Sequence, residues 1–289
     1  MALVLSNDEL YSVIEKELNN SFLFLTGRLA DSCFRDKTRT IGLMDIVSRA
    51  TIPETVAADL GAGMGVLGLA FLNAGGGFLY SVDSNIHCCE FILRVSGKLG
   101  YHDRLEIHNT NENNFNPGQS GASRSIDLVI AELIEAGLIN EPLIPAMNNV
   151  KKYTSDNARF IPDRAVSFLR ILEFMRHPSI KRARLGPTYL SDELVYDEVT
   201  FPTTKKSIDT KIRLKATGNG YPNKVVIRTE VFYGEGRLPC WSIAFGYPVV
   251  KRLNFGPFLP PVRPGQEIGI AVKYRYGTTK PNFYGKVLT

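Results

Sequence analysis

A chain of 289 residues with 44% hydrophobic and 22% charged side chains is long enough for one large domain or two modest ones, and its composition excludes a disordered chain. The net charge of +5 comes from dispersed Lys and Arg, with only short groups such as Lys181-Arg182-Ala183-Arg184, so a dedicated nucleic-acid tail is excluded. Four cysteines, two of them the neighbours Cys88 and Cys89, form no C-x-x-C or Cys/His spacing; zinc and other metals are not expected, and the thiols read as reduced in a cytoplasmic protein. The start of the chain lacks the basic-then-apolar order of a secretion signal. No apolar run reaches the ~20 residues of a membrane span.

The elements follow in chain order. Ser6-Asn7-Asp8-Glu9 has the form of a capping box, and Leu10, Val13, Ile14 and Leu18 recur at helical spacing behind it. A second helix is predicted over 40–48, so residues 1–50 read as a helical segment in front of the main domain. From residue 55 the pattern alternates: strand 56–60, a glycine turn 61–65, helix 66–73, strand 78–83, helix 87–99, strand 105–108, a Gly/Ser loop 117–123 and strand 125–130. That order predicts a parallel, doubly wound α/β sheet of Rossmann type over 51–162. Beyond it, β-prone pieces at 165–172, 211–214, 225–233, 241–245 and 266–276 are separated by Gly/Pro turns. They predict an antiparallel β-rich barrel or sandwich over 163–289.

Asp59-Leu60-Gly61-Ala62-Gly63-Met64-Gly65 carries the first chemical signal. The glycines allow a sharp strand-to-helix turn and close approach of a ligand to the backbone. A nicotinamide fingerprint wants a third glycine where Val66 stands, and no Gly-Lys-Ser/Thr follows, which excludes an ATP-type phosphate loop. Asp83 ends the second strand, where an acid accepts hydrogen bonds from ribose hydroxyls, with Ser84 beside it. Asp59, just before the glycines, would repel a pyrophosphate but suits an ammonium and sulfonium group. The site therefore reads as one for S-adenosyl-L-methionine, held by Asp59, Gly61, Gly63, Gly65, Asp83 and Ser84. Glu112, after the third strand, is placed to contact the adenine.

After the fourth strand comes Ala131-Glu132-Leu133-Ile134-Glu135-Ala136-Gly137-Leu138-Ile139-Asn140-Glu141. Carboxylates in so apolar a segment are costly to bury without a cationic partner, and a planar guanidinium is the best match. This segment resembles the double-glutamate loop of the protein arginine methyltransferase family, S-E-W-M-G-x-x-L-x-x-E, with Glu132 and Glu141 at its two glutamate positions. Ile161-Pro162-Asp163-Arg164-Ala165 is similar to that family's barrel entry, and Asp36-Lys37-Thr38-Arg39-Thr40 to its D-x-x-R-T stretch.

The resemblance implies a class I methyltransferase fold with a β-barrel behind it, Arg39 on the cofactor carboxylate, and Glu132 and Glu141 as the catalytic pair on a guanidino nitrogen. Glu135 is a further substrate-side carboxylate, and Trp241 is either core or a substrate-pocket wall. The sequence departs from the family in having Pro239-Cys240-Trp241 where the family has Thr-His-Trp, and no histidine beyond His177. A small or peptide acceptor is therefore preferred over a folded protein. A different cationic or amine acceptor, and a catalytically silent methyltransferase-like interaction protein, stay open. The family implies a homodimer; neither a membrane nor a nucleic acid is expected as partner.

Overall fold

The computed structural model describes residues 4–20, 33–120, 124–173, 188–239, 249–253, 261–278 and 283–288. The expected strand at 241–245, with Trp241 in it, lies outside the described residues.

Two helices precede the first sheet, α1 (Asn7–Asn20) and α2 (Lys37–Ala50). The capping box forms as read: the Ser6 amide donates to Glu9 Oε2 at 2.7 Å and the Glu9 amide to Ser6 Oγ at 3.3 Å. Asp36 caps α2 by accepting from the Arg39 amide at 3.2 Å. Then follow β1 (Val56–Leu60), α3 (Val66–Asn73), β2 (Phe78–Asp83), α4 (Ile86–Leu99), β3 (Leu105–Asn109), β4 (Ile126–Ala131), α5 (Leu143–Val150) and β5 (Thr154–Ile161). The strands form one sheet in the order β3-β2-β1-β4-β5 with every pairing parallel. The order reverses beside β1, and a crevice opens there at the carboxyl ends of the strands. The inner strands are buried almost throughout, as a sheet covered on both faces requires.

The antiparallel part begins at once with β6 (Arg164–Glu173). It continues through β7 (Thr188–Tyr189), β8 (Leu194–Thr200), β9 (Ser207–Lys215), β10 (Lys224–Tyr233), β11 (Gly236–Arg237), β12 (Val249–Arg252), β13 (Glu267–Arg275) and β14 (Tyr284–Leu288). A six-stranded sheet is built on the long β6–β10 pairing, and a three-stranded sheet has the order β14-β13-β9. In β13 every second residue is buried, among them Ile268, Ile270 and Tyr274, and β9 alternates in the same way with Thr210 half-buried between Ile208 and Ile212. Two elements differ from the sequence reading. Residues 143–150 form a helix and 154–161 a fifth parallel strand, neither of them among the expected elements, and Phe160 and Ile161 end that strand.

The N-terminal segment is tied to the sheet domain by one buried side chain. Asn73, at the end of α3, accepts from the Leu5 amide at 3.0 Å and donates to the Leu5 carbonyl at 2.7 Å. It also accepts from the Tyr101 hydroxyl at 3.1 Å. Truncation strands three polar groups in a buried place. Asn73→Ala should cost about 2–4 kcal/mol, read as a lower urea midpoint with an unchanged slope.

Candidate active site

A cavity of about 280 Å³ lies against the carboxyl ends of β1, β2 and β4. The turn after β1 shapes its floor. The amides of Gly61 and Ala62 both donate to the Val82 carbonyl at 2.9 Å, so the chain folds tightly over the end of β2. Gly61 has φ +71°, and a Cβ there would stand 2.4 Å from Leu133 Cδ2; only glycine satisfies both the turn and the neighbour. Gly63 lines the cavity, whereas Gly65 caps α3 from behind it with φ 73°.

Five carboxylates line the cavity: Asp59, Asp83, Glu112, Glu132 and Glu141. Arg39 is the one Lys or Arg among the described lining residues. Asp59 is buried and accepts from the Gly68 amide in the first turn of α3 at 2.9 Å. Burial pushes its carboxyl up to about 7, with the charges of Asp83 and Glu132 adding to the effect. Asp83 accepts from the Gly63 amide and the Asn85 amide, each at 2.7 Å, and burial outweighs these bonds to raise its pKa. Glu112 is raised by burial and by Asp83. Glu141 is raised by burial, then by the charges of Glu135, Glu132 and Glu112. Glu132 is raised by burial against the pull of Arg39, with which it forms a buried ion pair. Ser84 also lines the cavity, as do Phe34, Thr40, Leu43 and Met64, none of which the sequence reading singled out. Phe34 is held by stacking on Tyr11, with ring centroids 4.6 Å apart. Cys88 lies in the wall with its thiol pushed up to about 12 by burial, which leaves it protonated and inert.

The structure brings together Arg39, Asp59, Gly61, Gly63, Asp83, Ser84, Glu112, Glu132 and Glu141. It separates Glu135, whose two oxygens accept from the Asn140 amide at 3.1 Å and the Asn140 side chain at 2.6 Å. That carboxylate closes the loop on itself and does not line the cavity. Arg39 stands in direct contact with Glu132.

The loop that carries Glu132 and Glu141 is gripped from the antiparallel sheets. Gly137, at its centre with φ 75°, donates its amide to Thr229 Oγ1 at 2.6 Å. Its carbonyl accepts from the Tyr274 hydroxyl at 2.8 Å. Thr229 in turn bonds Ser167 at 2.9 Å, and Tyr274 bonds the Tyr196 hydroxyl at 2.8 Å. Beside them the Tyr276 hydroxyl donates to Asp197 at 2.6 Å, and Lys205 pairs with the same carboxylate at 2.7 Å. Backbone amides of Gly277 and Thr278 donate to the carbonyls of Leu138 and Ile139 at 3.1 and 3.0 Å. Each contact made by the loop itself, through Gly137, Leu138 and Ile139, joins residues more than 90 positions apart, so no local sequence signal could have revealed the clamp.

Among known proteins, no family model matches the chain. It is 23% identical over 226 residues to the Methanocaldococcus jannaschii protein MJ1452, covering 77% of this chain and 85% of that one. It is 25% identical over 149 residues to rat protein arginine N-methyltransferase 7, covering 49% of this chain and 22% of the relative. To the arginine N(omega)-methyltransferase of Streptomyces achromogenes subsp. streptozoticus it is 24% identical over 118 residues, covering 41% of this chain and 32% of that one. The chain thus spans about a fifth to a third of these two named enzymes. The fold is that of the Trypanosoma brucei PRMT1 enzyme-prozyme complex with AdoHcy, with TM-score 0.66 at 13% identity over 88% of this chain and 95% of that one. The chain resembles the protein arginine methyltransferase family in sequence and has its fold: a Rossmann-like sheet followed by antiparallel sheets.

Tyr274→Phe removes the donor to Gly137 and should lower stability by about 1–3 kcal/mol, measured by denaturant unfolding. Asp59 gives a pH dependence of known sign. Its folded pKa of about 7 lies above its ordinary 3.8, so its contribution is fully present below pH ~4 and is lost as pH rises through ~7. Asp59→Asn keeps an acceptor for Gly68 and never ionises. It should therefore gain stability relative to wild type between pH ~4 and ~7 and show no further gain above, in unfolding curves taken across that range.

Proposed function

We propose that the chain is an S-adenosylmethionine-dependent methyltransferase whose acceptor is a guanidino nitrogen, in free arginine, an arginine peptide or a small guanidine. The observation that carries this reading is the charge of the cavity. Five carboxylates against one arginine leave an excess of four negative charges among the described lining residues if all are ionised. A buried excess of that size calls for cationic ligands.

The residues fit the methyl donor. Asp59 suits its ammonium and sulfonium end, Asp83 its ribose hydroxyls, Arg39 its carboxylate and Glu112 its adenine, over a floor that glycine keeps free of side chains. When bound, S-adenosylmethionine supplies an electrophilic methyl. The chain's own work lies at the acceptor. A guanidinium is a poor nucleophile because its lone pairs are delocalised. Glu132 and Glu141 orient it through charge-assisted hydrogen bonds and draw its positive charge away from the attacking nitrogen. Glu141, with a pKa raised by burial and then by its acidic neighbours and no arginine paired with it among the described residues, is also the better placed to take up the proton released late in the transfer. The resemblance to named arginine methyltransferases supports the same acceptor.

The Arg39–Glu132 ion pair favours one other reading. With Glu132 already engaged, Glu141 alone could hold a simple amine, which needs a single carboxylate. Label transfer from methyl-labelled S-adenosylmethionine to a panel of free arginine, arginine peptides, other guanidines and amines separates the two. Transfer to a guanidine is expected, and Glu141→Gln should lower kcat/KM about 10²–10³-fold with cofactor binding retained. Transfer confined to amines, or indifferent to Glu141→Gln, would overturn the guanidinium reading. Cofactor binding without transfer to any acceptor would point to a silent interaction protein.

A further inference from the structure

A second cavity, of about 300 Å³, lies where three elements meet away from the carboxylate site. Arg49 and Ile46 reach it from the last turns of α2, Arg159 from β5, and Tyr233, Gly236 and Arg237 from the β10–β11 hairpin. Three guanidinium groups line it, and no carboxylate does among the described residues.

The surrounding ion pairs show how much of this charge is answered. Glu193 pairs with Arg228 at 2.6 Å, and Glu230 is shared between Arg228 at 2.5 Å and Arg237 at 2.7 Å. Two carboxylates therefore serve Arg228 and Arg237. Among the other acids nearby, Asp45, one turn back on α2, accepts from Asn7 at 2.7 Å, Asp163 accepts from the Gly234 amide at 2.6 Å, and Glu235 is exposed on the β10–β11 hairpin. Neither Arg49 nor Arg159 forms an ion pair with a carboxylate among the described residues. Arg159 is half-buried and donates only to the Tyr233 hydroxyl, at a long 3.5 Å. A hydroxyl that accepts in this way keeps its own proton to donate.

The cavity thus presents two uncompensated guanidinium groups, a third shared with Glu230, and one hydroxyl donor, all from rigid elements. Like charges held together at a concave surface repel unless an anion joins them. Planar guanidinium forks match a tetrahedral oxyanion, whose several oxygens can accept from all of them at once. We propose that this cavity is a binding site for a small, multiply charged anion of phosphate chemistry. Such a ligand would tie the helix that carries Arg39 to the antiparallel part of the molecule. The site is independent of the carboxylate cavity and of the reaction proposed for it.

Calorimetric titration of the full chain with pyrophosphate and, separately, with inorganic phosphate tests this, at ionic strength held constant with sodium chloride. Saturable binding at one site is expected. Arg49→Gln and Arg159→Gln should each weaken it about tenfold or more. Arg213→Gln, an exposed arginine on β9 paired with Glu267, should leave it unchanged. Binding of pyrophosphate alone would assign the site to a diphosphate-bearing ligand, and comparable binding of both anions to a single phosphate group. Arg49 is exposed on its helix, so its variant carries the test if Arg159→Gln does not fold. Absence of saturable binding, or binding equally strong in the Arg49→Gln protein, would overturn the proposal.

Discussion

The crowding of carboxylates into one buried cavity is the constraint around which the rest of the molecule is arranged. Each of the five would by itself favour water or a proton, and every one has its pKa pushed upward by burial. The fold tolerates them in part by aiming backbone donors at two of them. Asp59 takes the Gly68 amide at the open end of α3, which has no side-chain cap, and Asp83 takes the amides of Gly63 and Asn85. The same contacts that hold the glycine turn in shape thus hold these acids. These bonds do not remove the excess of charge that the carboxylates carry when ionised, and a negative cavity of this kind favours cations before any ligand-specific contact is considered.

The two ends of the cavity are held by different parts of the chain. Asp59, Asp83 and Glu132 sit at or just after the ends of β1, β2 and β4, so the parallel sheet fixes them directly. Glu141 lies nine positions beyond Glu132, and the loop between has little regular structure to locate it. Its position is set at Gly137 by Thr229 and Tyr274, and at Leu138 and Ile139 by the backbone after β13. The antiparallel sheets are therefore more than a neighbouring wall. Their buried tyrosines and Asp197 form hydrogen-bonded contacts whose far end helps to determine where the Glu141 carboxylate stands.

What could be read from the sequence follows from how local each signal is. The strand over 56–60, the helix over 66–73 and the strand over 78–83 have the bounds expected, because apolar runs and a glycine turn delimit them on both sides. The helix over 143–150 was missed because Pro145 and two asparagines dilute its helix propensity; its apolar face shows only once Leu143, Ile144, Met147 and Val150 are seen buried together. The strand over 154–161 was missed because its first half is polar and half-exposed at the edge of the sheet. Glu135 reads as a substrate-side carboxylate because it shares the apolar loop with Glu132 and Glu141. Only the fold shows that Asn140, five residues on, takes both its oxygens. The resemblance that picks out Glu132 and Glu141, both of which line the cavity, depends on spacing along one loop, whereas the clamp on Gly137 depends on residues that meet only in the folded chain.

The Arg39–Glu132 pair joins these two ends and bears on how ligands would share the cavity. Under the proposed reaction, Arg39 is the partner of the donor's carboxylate and Glu132 a partner of the acceptor's guanidinium. A donor that draws Arg39 toward its own carboxylate leaves Glu132 with less of its counter-charge in a buried place, which is costly. A guanidinium arriving at Glu132 restores that charge, so each ligand removes the deficit the other creates. The coupling is reciprocal, as linkage demands, and it needs no motion of the sheet, only an exchange of partners between one guanidinium and one carboxylate already in contact. With neither ligand present, the two side chains neutralise each other, and the cavity is spared one unpaired cation and one unpaired anion.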